Sequence, residues 1–181
     1  FRGIFIKNET HNEKLYLDNV TIEGTTYTIS CDQGSNSGLE ATNSTFKGWT
    51  SYAATLGNAK FTGCYFGYGN GYSFCRPYAP TEFVGCEFEA GLTLDTRADV
   101  TFENCTFVGN GKSGYNGANL WGSAKLINCE FTFDGSTATE WIDCIGLDKI
   151  YEFENCTVNG VAYTKDNYTT APNDNIFSRN H

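Results

Sequence analysis

The segment LDTRAD places Asp95, Arg97 and Asp99 at alternating positions, so that in a β-strand all three side chains would share one face. Two carboxyl groups beside an arginine could serve a lyase or a glycosidase, with one as proton donor and the other as base or nucleophile. The same pattern fits a solvated strand in which an aspartate and the arginine form an ion pair. The sequence favours the ion pair, and these three residues remain the candidate catalytic set of a chain expected to be non-catalytic.

Aromatic residues are concentrated in the segment CYFGYGNGYSFCRPYAP and in the nearby segment GWTSY. Together they contain the candidate ligand-binding residues Tyr65, Tyr68, Tyr72, Arg76, Tyr78, Trp49 and Tyr52. Amphipathic rings on rigid loops give a large contact area at low entropic cost, which protein and sugar recognition surfaces favour. We expect Tyr68 and Tyr78 to be exposed, because they fall in irregular chain. The alternative is an aromatic stack that packs the loop against the body of the protein.

The cysteines look at first like a metal or disulfide framework, since the chain contains eight of them. Five share one repeated position, namely Cys64, Cys86, Cys105, Cys129 and Cys156. Zinc sites use closely spaced cysteine pairs, which are missing here, so we expect no metal and no cofactor. Parallel side chains also suit a disulfide torsion poorly. The prediction is a column of free thiols that fill the core as small apolar groups.

The cysteines belong to an internal repeat with the pattern φ-x-(N/G)-φ-x-φ, where φ is apolar. Its seven copies are marked by Asn19, Asn43, Gly63, Gly85, Asn104, Asn128 and Asn155. Strand side chains alternate between faces, so Phe102 and Cys105 can both point inward only if the chain bends between them. Asparagine and glycine tolerate left-handed backbone, and we therefore predict that each marks a corner.

The composition favours stacked strands over a helical repeat. Val, Ile, Thr, Tyr and Phe crowd the units, and no segment keeps apolar residues at helical spacing over three turns. Three residues before each corner, the outward position reads Tyr16, Glu40, Lys60, Glu82, Thr101, Lys125, Glu152. Unlike charges follow one another in this series, as stacked parallel strands favour. The sequence therefore predicts a β-solenoid in which each repeat forms one coil.

These repeats resemble the right-handed parallel β-helices of the pectin-lyase-like class, which carry asparagine ladders at a coil corner. The resemblance implies an all-β fold, a single-stranded right-handed parallel β-helix of about seven coils, over residues 1–163. It also implies several possible functions, because the class includes lyases, hydrolases, phage tailspikes and surface adhesins. FVGN at Phe107 to Asn110 and NGANL at Asn116 to Leu120 are similar to repeats of polymorphic outer-membrane adhesins.

The loop aromatics, together with that narrower resemblance, favour a non-catalytic, adhesin-like binding module for a glycan or a host or cell-surface protein. A carbohydrate-active β-helix of the lyase, hydrolase or tailspike type is the alternative, and a structural spacer is a third. We expect an extracellular or cell-surface location on a bacterium. Residues 164–181 are polar and are expected to be a cap remnant or tail, and neighbouring domains of the same chain are expected partners.

The charge and hydropathy of the chain argue against two other kinds of partner. The formal net charge is −9, and the twelve basic residues are scattered rather than clustered. Nucleic acids and anionic membrane surfaces would be repelled by such a protein. No run of eighteen apolar residues is present, so membrane insertion is not expected. An acidic polysaccharide would bind only through a bridging cation or a local basic patch.

Overall fold

The structure is a computed structural model of the 181-residue chain. It describes residues 2–6, 13–23, 26–31, 38–52, 58–69, 73–89, 92–109, 117–133, 142–144, 146, 148–163 and 177–178. Within these ranges the regular structure consists of short β-strands, and no helix is found. Consequently, none of the described segments is a helix long and apolar enough to cross a membrane.

The strands are numbered in chain order. They are β1 (Arg2–Ile6), β2 (Lys14–Asp18), β3 (Thr21–Ile22), β4 (Tyr27–Cys31), β5 (Gly38–Thr42), β6 (Thr45–Lys47), β7 (Trp49–Tyr52), β8 (Ala59–Thr62), β9 (Tyr65–Gly67), β10 (Phe74–Pro77), β11 (Thr81–Val84), β12 (Glu87–Phe88), β13 (Thr93–Thr96), β14 (Val100–Glu103), β15 (Thr106–Gly109), β16 (Gly117–Leu120), β17 (Ala124–Ile127), β18 (Glu130–Phe133), β19 (Ile142–Cys144), β20 (Tyr151–Glu154), β21 (Cys156–Val158), β22 (Val161–Tyr163) and β23 (Phe177–Ser178).

These strands form three parallel sheets that run the length of a solenoid. Sheet 1 has the order β1-β4-β7-β10-β13-β16-β19-β23, and sheet 2 has the order β2-β5-β8-β11-β14-β17-β20. Sheet 3 has the order β3-β6-β9-β12-β15-β18-β21-β22. Sheet 2 contains one strand from each of the seven repeats, and the chain then passes through sheet 3 and sheet 1 before it returns. The predicted all-β parallel solenoid is therefore confirmed.

The marker asparagines and glycines form the corner between sheets 2 and 3, as predicted. All seven have positive φ, at Asn19 (53°), Asn43 (48°), Asn104 (53°), Asn128 (51°), Asn155 (51°), Gly63 (60°) and Gly85 (60°). This left-handed conformation turns the chain sharply enough for residues three apart to point inward together. Among the last three repeats the asparagine side chains are also bonded, since Asn128 Nδ2 donates to Asn104 Oδ1 at 3.2 Å and Asn155 Nδ2 donates to Asn128 Oδ1 at 3.3 Å.

The outward column predicted for sheet 2 is confirmed by the strand register. Tyr16, Glu40, Lys60, Glu82, Thr101, Lys125 and Glu152 are paired in that order. Lys60 Nζ lies 3.4 Å from Glu82 Oε2, and Lys125 Nζ lies 3.7 Å from Glu152 Oε2. Glu40 also accepts a hydrogen bond from Lys14, which lies two residues before its register partner Tyr16.

Phenylalanines fill the core in two columns, one on the inner face of sheet 2 and one on the inner face of sheet 3. On sheet 2 the strand register pairs Phe61 with Phe83 and Phe83 with Phe102. On sheet 3 the inward column contains Phe46, Phe66, Phe88, Phe107 and Phe131. Phe88, Phe107 and Phe131 are nearly parallel, with centroid separations of 4.8 Å along the stack. This spacing equals the distance between neighbouring strands, roughly 4.8 Å, so stacking of coils and stacking of rings favour the same geometry.

The five repeated cysteines are buried and have free thiols. Each thiol donates toward two backbone carbonyls, as at Cys105, where Sγ lies 3.4 Å from the oxygens of Phe83 and Glu103. Adjacent thiols also interact. The hydrogen bond with Cys105, together with burial, raises the pKa of the Cys129 thiol to about 12. At the start of the column, a hydrogen bond from Cys86 lowers the pKa of Cys64. The predicted column of free, inward thiols is thus confirmed.

A hairpin ends sheet 3, because β21 and β22 are the antiparallel pair in an otherwise parallel sheet. Its turn residues Asn159 and Gly160 both have positive φ, at 48° and 76°, as a tight two-residue hairpin turn requires. In the segment expected to be a cap or tail, residues 177–178 form β23 and extend sheet 1 beyond β19.

Candidate ligand-binding face

Every arginine among the described residues lies on or beside sheet 1, and each is stacked on an aromatic ring. The Arg2 guanidinium carbon lies 4.5 Å from the centroid of the Phe5 ring. The described lysines that lie on strands are in sheets 2 and 3, where Lys60 and Lys125 pair with glutamates and Lys47 pairs with a glutamate near β3. Lys14 and Lys47 also lie over rings, at 5.9 Å and 6.0 Å from the ring centroids, but a lysine is a hydrated point charge, whereas an arginine stacks flat on a ring and keeps a planar set of donors. The outer surface of sheet 1 is therefore chemically distinct from the other two.

The centre of this surface is formed by Arg76, which covers two rings of the aromatic column. Its guanidinium carbon lies 4.7 Å from the centroid of Phe74 and 5.0 Å from that of Trp49. Trp49 is in turn stacked on Tyr27 at 5.0 Å. These residues meet because Trp49 and Tyr27 are paired in the sheet and Phe74 occupies the equivalent position of the next strand. Stacking of this kind leaves a guanidinium with few accessible rotamers.

Asp95 joins Arg76 to a second arginine, Arg97. The Oδ2 atom of Asp95 lies 2.5 Å from Arg76 Nε, and 3.0 Å from Nη2 and 3.3 Å from Nε of Arg97. The Asp95 side chain is only 2% exposed, whereas those of Arg76 and Arg97 are 20% and 38% exposed. One buried carboxylate thus holds two partly exposed guanidinium groups. Because the two positive charges share one negative charge, this cluster is locally basic in an acidic protein.

Beyond the strands of sheet 1, a stripe of exposed side chains continues along three coils. It contains Tyr78, Arg97 and Trp121, whose backbone N–H groups bond to equivalent carbonyls of the preceding coils. The Arg97 guanidinium carbon lies 5.0 Å from the Trp121 ring centroid. We call the surface formed by Trp49, Phe74, Arg76, Tyr78, Asp95, Arg97 and Trp121 the arginine–aromatic face.

The structure divides the aromatic residues that the sequence assigned to one binding surface. Trp49, Arg76 and Tyr78 lie on the arginine–aromatic face. Tyr65 lies on sheet 3, where burial and then a hydrogen bond with Glu89 raise its pKa to about 12. Tyr68 follows β9 and is exposed, as is Tyr78, which confirms the expected exposure of both. Tyr72 lies outside the described residues.

Tyr52 requires a correction, because its side chain is fully buried in the core. Trp49 and Tyr52 are three residues apart in β7, so alternation sends them to opposite faces of sheet 1. The Tyr52 hydroxyl is bonded to the Thr81 hydroxyl at 3.0 Å inside the solenoid. Its assignment to a ligand-binding surface was therefore wrong.

The three candidate catalytic residues do not converge on one face. Asp95 and Arg97 form the ion pair that their spacing favoured, although the Asp95 side chain is buried rather than solvated. Asp99 instead lies at the corner between sheets 1 and 2, where Oδ1 accepts a hydrogen bond from the Ser123 N–H at 2.8 Å. It borders a groove along that corner, together with residues that include Pro80, Lys125 and Ile150. The turn after Arg97 carries Asp99 away, because the strand alternation ends at Thr96.

Four members of the face were not among the residues singled out from the sequence as ligand-binding. Asp95 and Arg97 were catalytic candidates, and Phe74 and Trp121 belonged to neither set. Phe74 lies within the aromatic segment, two residues before Arg76. Trp121 directly follows β16, just as Arg97 directly follows β13. Comparison of the residue that follows each sheet-1 strand would have detected this match. No group of three or more potential metal-ligating side chains is found where the structure describes the chain.

Three parallel sheets, left-handed corners and an outward arginine–aromatic surface define a β-helical protein with a candidate binding face. The family described as the right handed beta helix region matches residues 2–132, and the chain belongs to that family. No curated protein and no solved structure shows significant similarity to this chain. Family membership agrees with the fold and assigns no ligand, so the resemblance to adhesin repeats stays a prediction.

Proposed function

We propose that this chain is a non-catalytic β-helical binding module that recognises a glycan on its arginine–aromatic face. The observation that supports the proposal most strongly is the concentration of the described arginines on one sheet, each stacked on a ring. Sugars present apolar C–H groups and hydroxyls together. Aromatic side chains provide apolar contact, and the fixed N–H groups of stacked arginines provide hydrogen bonds to the hydroxyls.

The size of the exposed stripe favours a glycan over a protein. Tyr78 and Trp121 are separated by two coil steps, which span roughly 10 Å at the usual strand spacing. A stable protein complex commonly buries roughly 800 Å² on each partner. A narrow stripe of three exposed side chains suits a few sugar units of an extended chain. A protein ligand is the competing outcome of the binding test described below.

The arrangement of carboxylates supports binding rather than turnover. Glycosidases use two carboxyl groups that face each other across the scissile bond. Here Asp95 is engaged by two guanidinium groups, and Asp99 accepts a hydrogen bond from the backbone at another corner. We further propose that the module acts outside the cell or on the surface of a bacterium, together with neighbouring domains of the same chain.

A glycan array probed with the purified chain tests the proposal. We expect binding that is weakened by Trp121→Ala, with reducing-sugar and ultraviolet-absorbance assays on the bound glycans showing no turnover. Tyr16→Ala is the matched control, because Tyr16 is also exposed but lies on sheet 2. Turnover of a bound glycan would contradict the non-catalytic assignment. Binding to cell-surface proteins without any glycan binding would replace the proposed ligand.

A further inference from the structure

We propose that Asp95 positions Arg76 and Arg97 as a clamp for one oxyanion group of the ligand, either a carboxylate or a sulfate ester. This inference rests on the proposed glycan-binding function and adds a charged group to the ligand's description. It assigns Asp95 as a positioning residue and the two arginines as the residues that contact the anion.

The bonds within the cluster leave arginine donors available. Arg97 uses Nε and Nη2 to bond Asp95 Oδ2, and neither bond uses its Nη1 atom. Arg76 approaches the same oxygen through Nε. A guanidinium has five N–H donors in a fixed planar fork, so the remaining edge can bind two oxygens of one anion. Because both side chains remain partly exposed, a ligand oxyanion can reach them.

The charge balance of the cluster also favours an anion. Two guanidinium groups share a single carboxylate oxygen, which leaves one uncompensated positive charge beside a largely buried site. Two guanidinium groups that contact the same carboxylate oxygen repel each other, and a bound anion would relieve that repulsion. The rest of the chain is acidic, so an anionic glycan would be attracted at this face and repelled elsewhere. This cluster is the local basic patch that an acidic polysaccharide would require.

Aromatic stacking fixes both guanidinium groups before the ligand arrives. Arg76 rests on Trp49 and Phe74, and Arg97 rests on Trp121. The buried Asp95 carboxylate contacts both guanidinium groups and so fixes the direction in which each one points. Donors that are already ordered lose little conformational entropy on binding, which strengthens recognition of a planar or tetrahedral oxyanion.

The test compares one oligosaccharide backbone in three forms: neutral, carboxylated and sulfated. Isothermal titration calorimetry at low and high salt measures the dissociation constants. We expect one or both anionic forms to bind about tenfold more tightly than the neutral form at low salt, and the difference to shrink as salt increases. The preferred anionic form identifies the group. Equal binding of all three forms would overturn the clamp and leave the glycan-binding proposal standing, whereas no binding of any form would reject both.

Two variants separate positioning from simple charge. Asp95→Asn removes a negative charge, so attraction alone would strengthen anion binding, whereas loss of positioning should weaken it about tenfold. Arg97→Lys keeps the charge but removes the fork, and a loss of similar size is expected. Lys60→Gln, which removes one positive charge from sheet 2, should leave the discrimination between forms unchanged. Circular dichroism and thermal unfolding establish that each variant is folded, and a folded Asp95→Asn variant with equal or tighter anion binding would refute the inference.

Discussion

The side chain of Asn128 donates a hydrogen bond to that of Asn104 at 3.2 Å, directly across two corners of the solenoid. The corner before Asn104 is occupied by Gly85, which has φ of +60°. A Cβ atom added at Gly85 would meet no other atom within 4 Å. The ladder is therefore interrupted at this corner by the absence of a side chain, although the backbone conformation and the space both suit asparagine.

We predict that Gly85→Asn raises the free energy of unfolding by about 0.5 to 1 kcal/mol. The substitution lowers the conformational entropy of the unfolded chain, and asparagine tolerates the positive φ of the folded chain at this position. The introduced amide can also join the ladder through Asn104. Urea denaturation measures the change. Gly85→Val is the contrasting variant, because a β-branched residue at positive φ should lower the free energy of unfolding by about 1 to 2 kcal/mol. Equal losses for both variants would contradict the corner assignment.

The thiol column predicts alkaline destabilisation. Cys86, Cys105 and Cys129 have pKa values of about 12 in the folded protein, against an ordinary value of 9.0. Since the folded state holds these protons more tightly, stability is fully present below about pH 9 and decreases between about pH 9 and 12. The decrease arises because these thiols ionise in the unfolded chain at a lower pH than in the folded protein. Urea denaturation across the window should show this decrease.

Cys105→Ser provides the comparison for that measurement. Serine fits this column, because Ser44 occupies the same position in an earlier coil and its hydroxyl donates to the Thr42 carbonyl at 2.7 Å. The variant removes one titrating thiol, so its stability should decrease less steeply between about pH 9 and 12. An identical pH dependence in the variant and the parent would show that ionisation of the column is not responsible.

Reversing one charge in the outward column of sheet 2 should destabilise the solenoid. Lys60 lies between Glu40 and Glu82 in the register, so Lys60→Glu would align three carboxylates. We expect a loss of about 1 kcal/mol in the free energy of unfolding, because directly opposed like charges repel. The loss should shrink in high salt. Thermal unfolding at two salt concentrations measures it, with Lys60→Gln as the control that removes the charge without reversing it.

Phe107 lies between Phe88 and Phe131 in the stack on sheet 3, and its removal should be costly. Phe107→Ala would leave a cavity between Phe88 and Phe131, with an expected loss of about 3 to 5 kcal/mol. Phe107→Leu keeps part of the volume and should lose clearly less than Phe107→Ala. Chemical denaturation distinguishes the two. Similar small losses for both would indicate that the core relaxes around the cavity.

The pattern of the repeats was sufficient to predict the corners, the inward thiols and the outward column of sheet 2. These features lie within a few residues of each marker, as Cys105 does next to Asn104, so they keep their spacing in every coil. Backbone hydrogen bonds between adjacent coils then place residues with equal spacing from their markers directly over one another. For the same reason, the sequence already indicated a column of charges that alternate in sign.

The arginine–aromatic face could not be obtained in this way, because it lies after the segments of variable length. Arg76 follows its marker Gly63 by thirteen residues, whereas Asp95 follows Gly85 by ten, although the two side chains meet. Counting from the corners therefore separates residues that the sheet brings together. The same holds for Arg97 and Trp121, which are in contact because they follow the neighbouring strands β13 and β16 of sheet 1.

The sequence by itself determined that the chain coils around one axis, with cysteines and phenylalanines inside and asparagine or glycine at a corner. Only the tertiary structure decided which outward residues of sheet 1 become neighbours, and which way Tyr52 faces. The physical reason is that backbone hydrogen bonds between coils set the register of sheet 1, independently of how many residues the preceding loop contains.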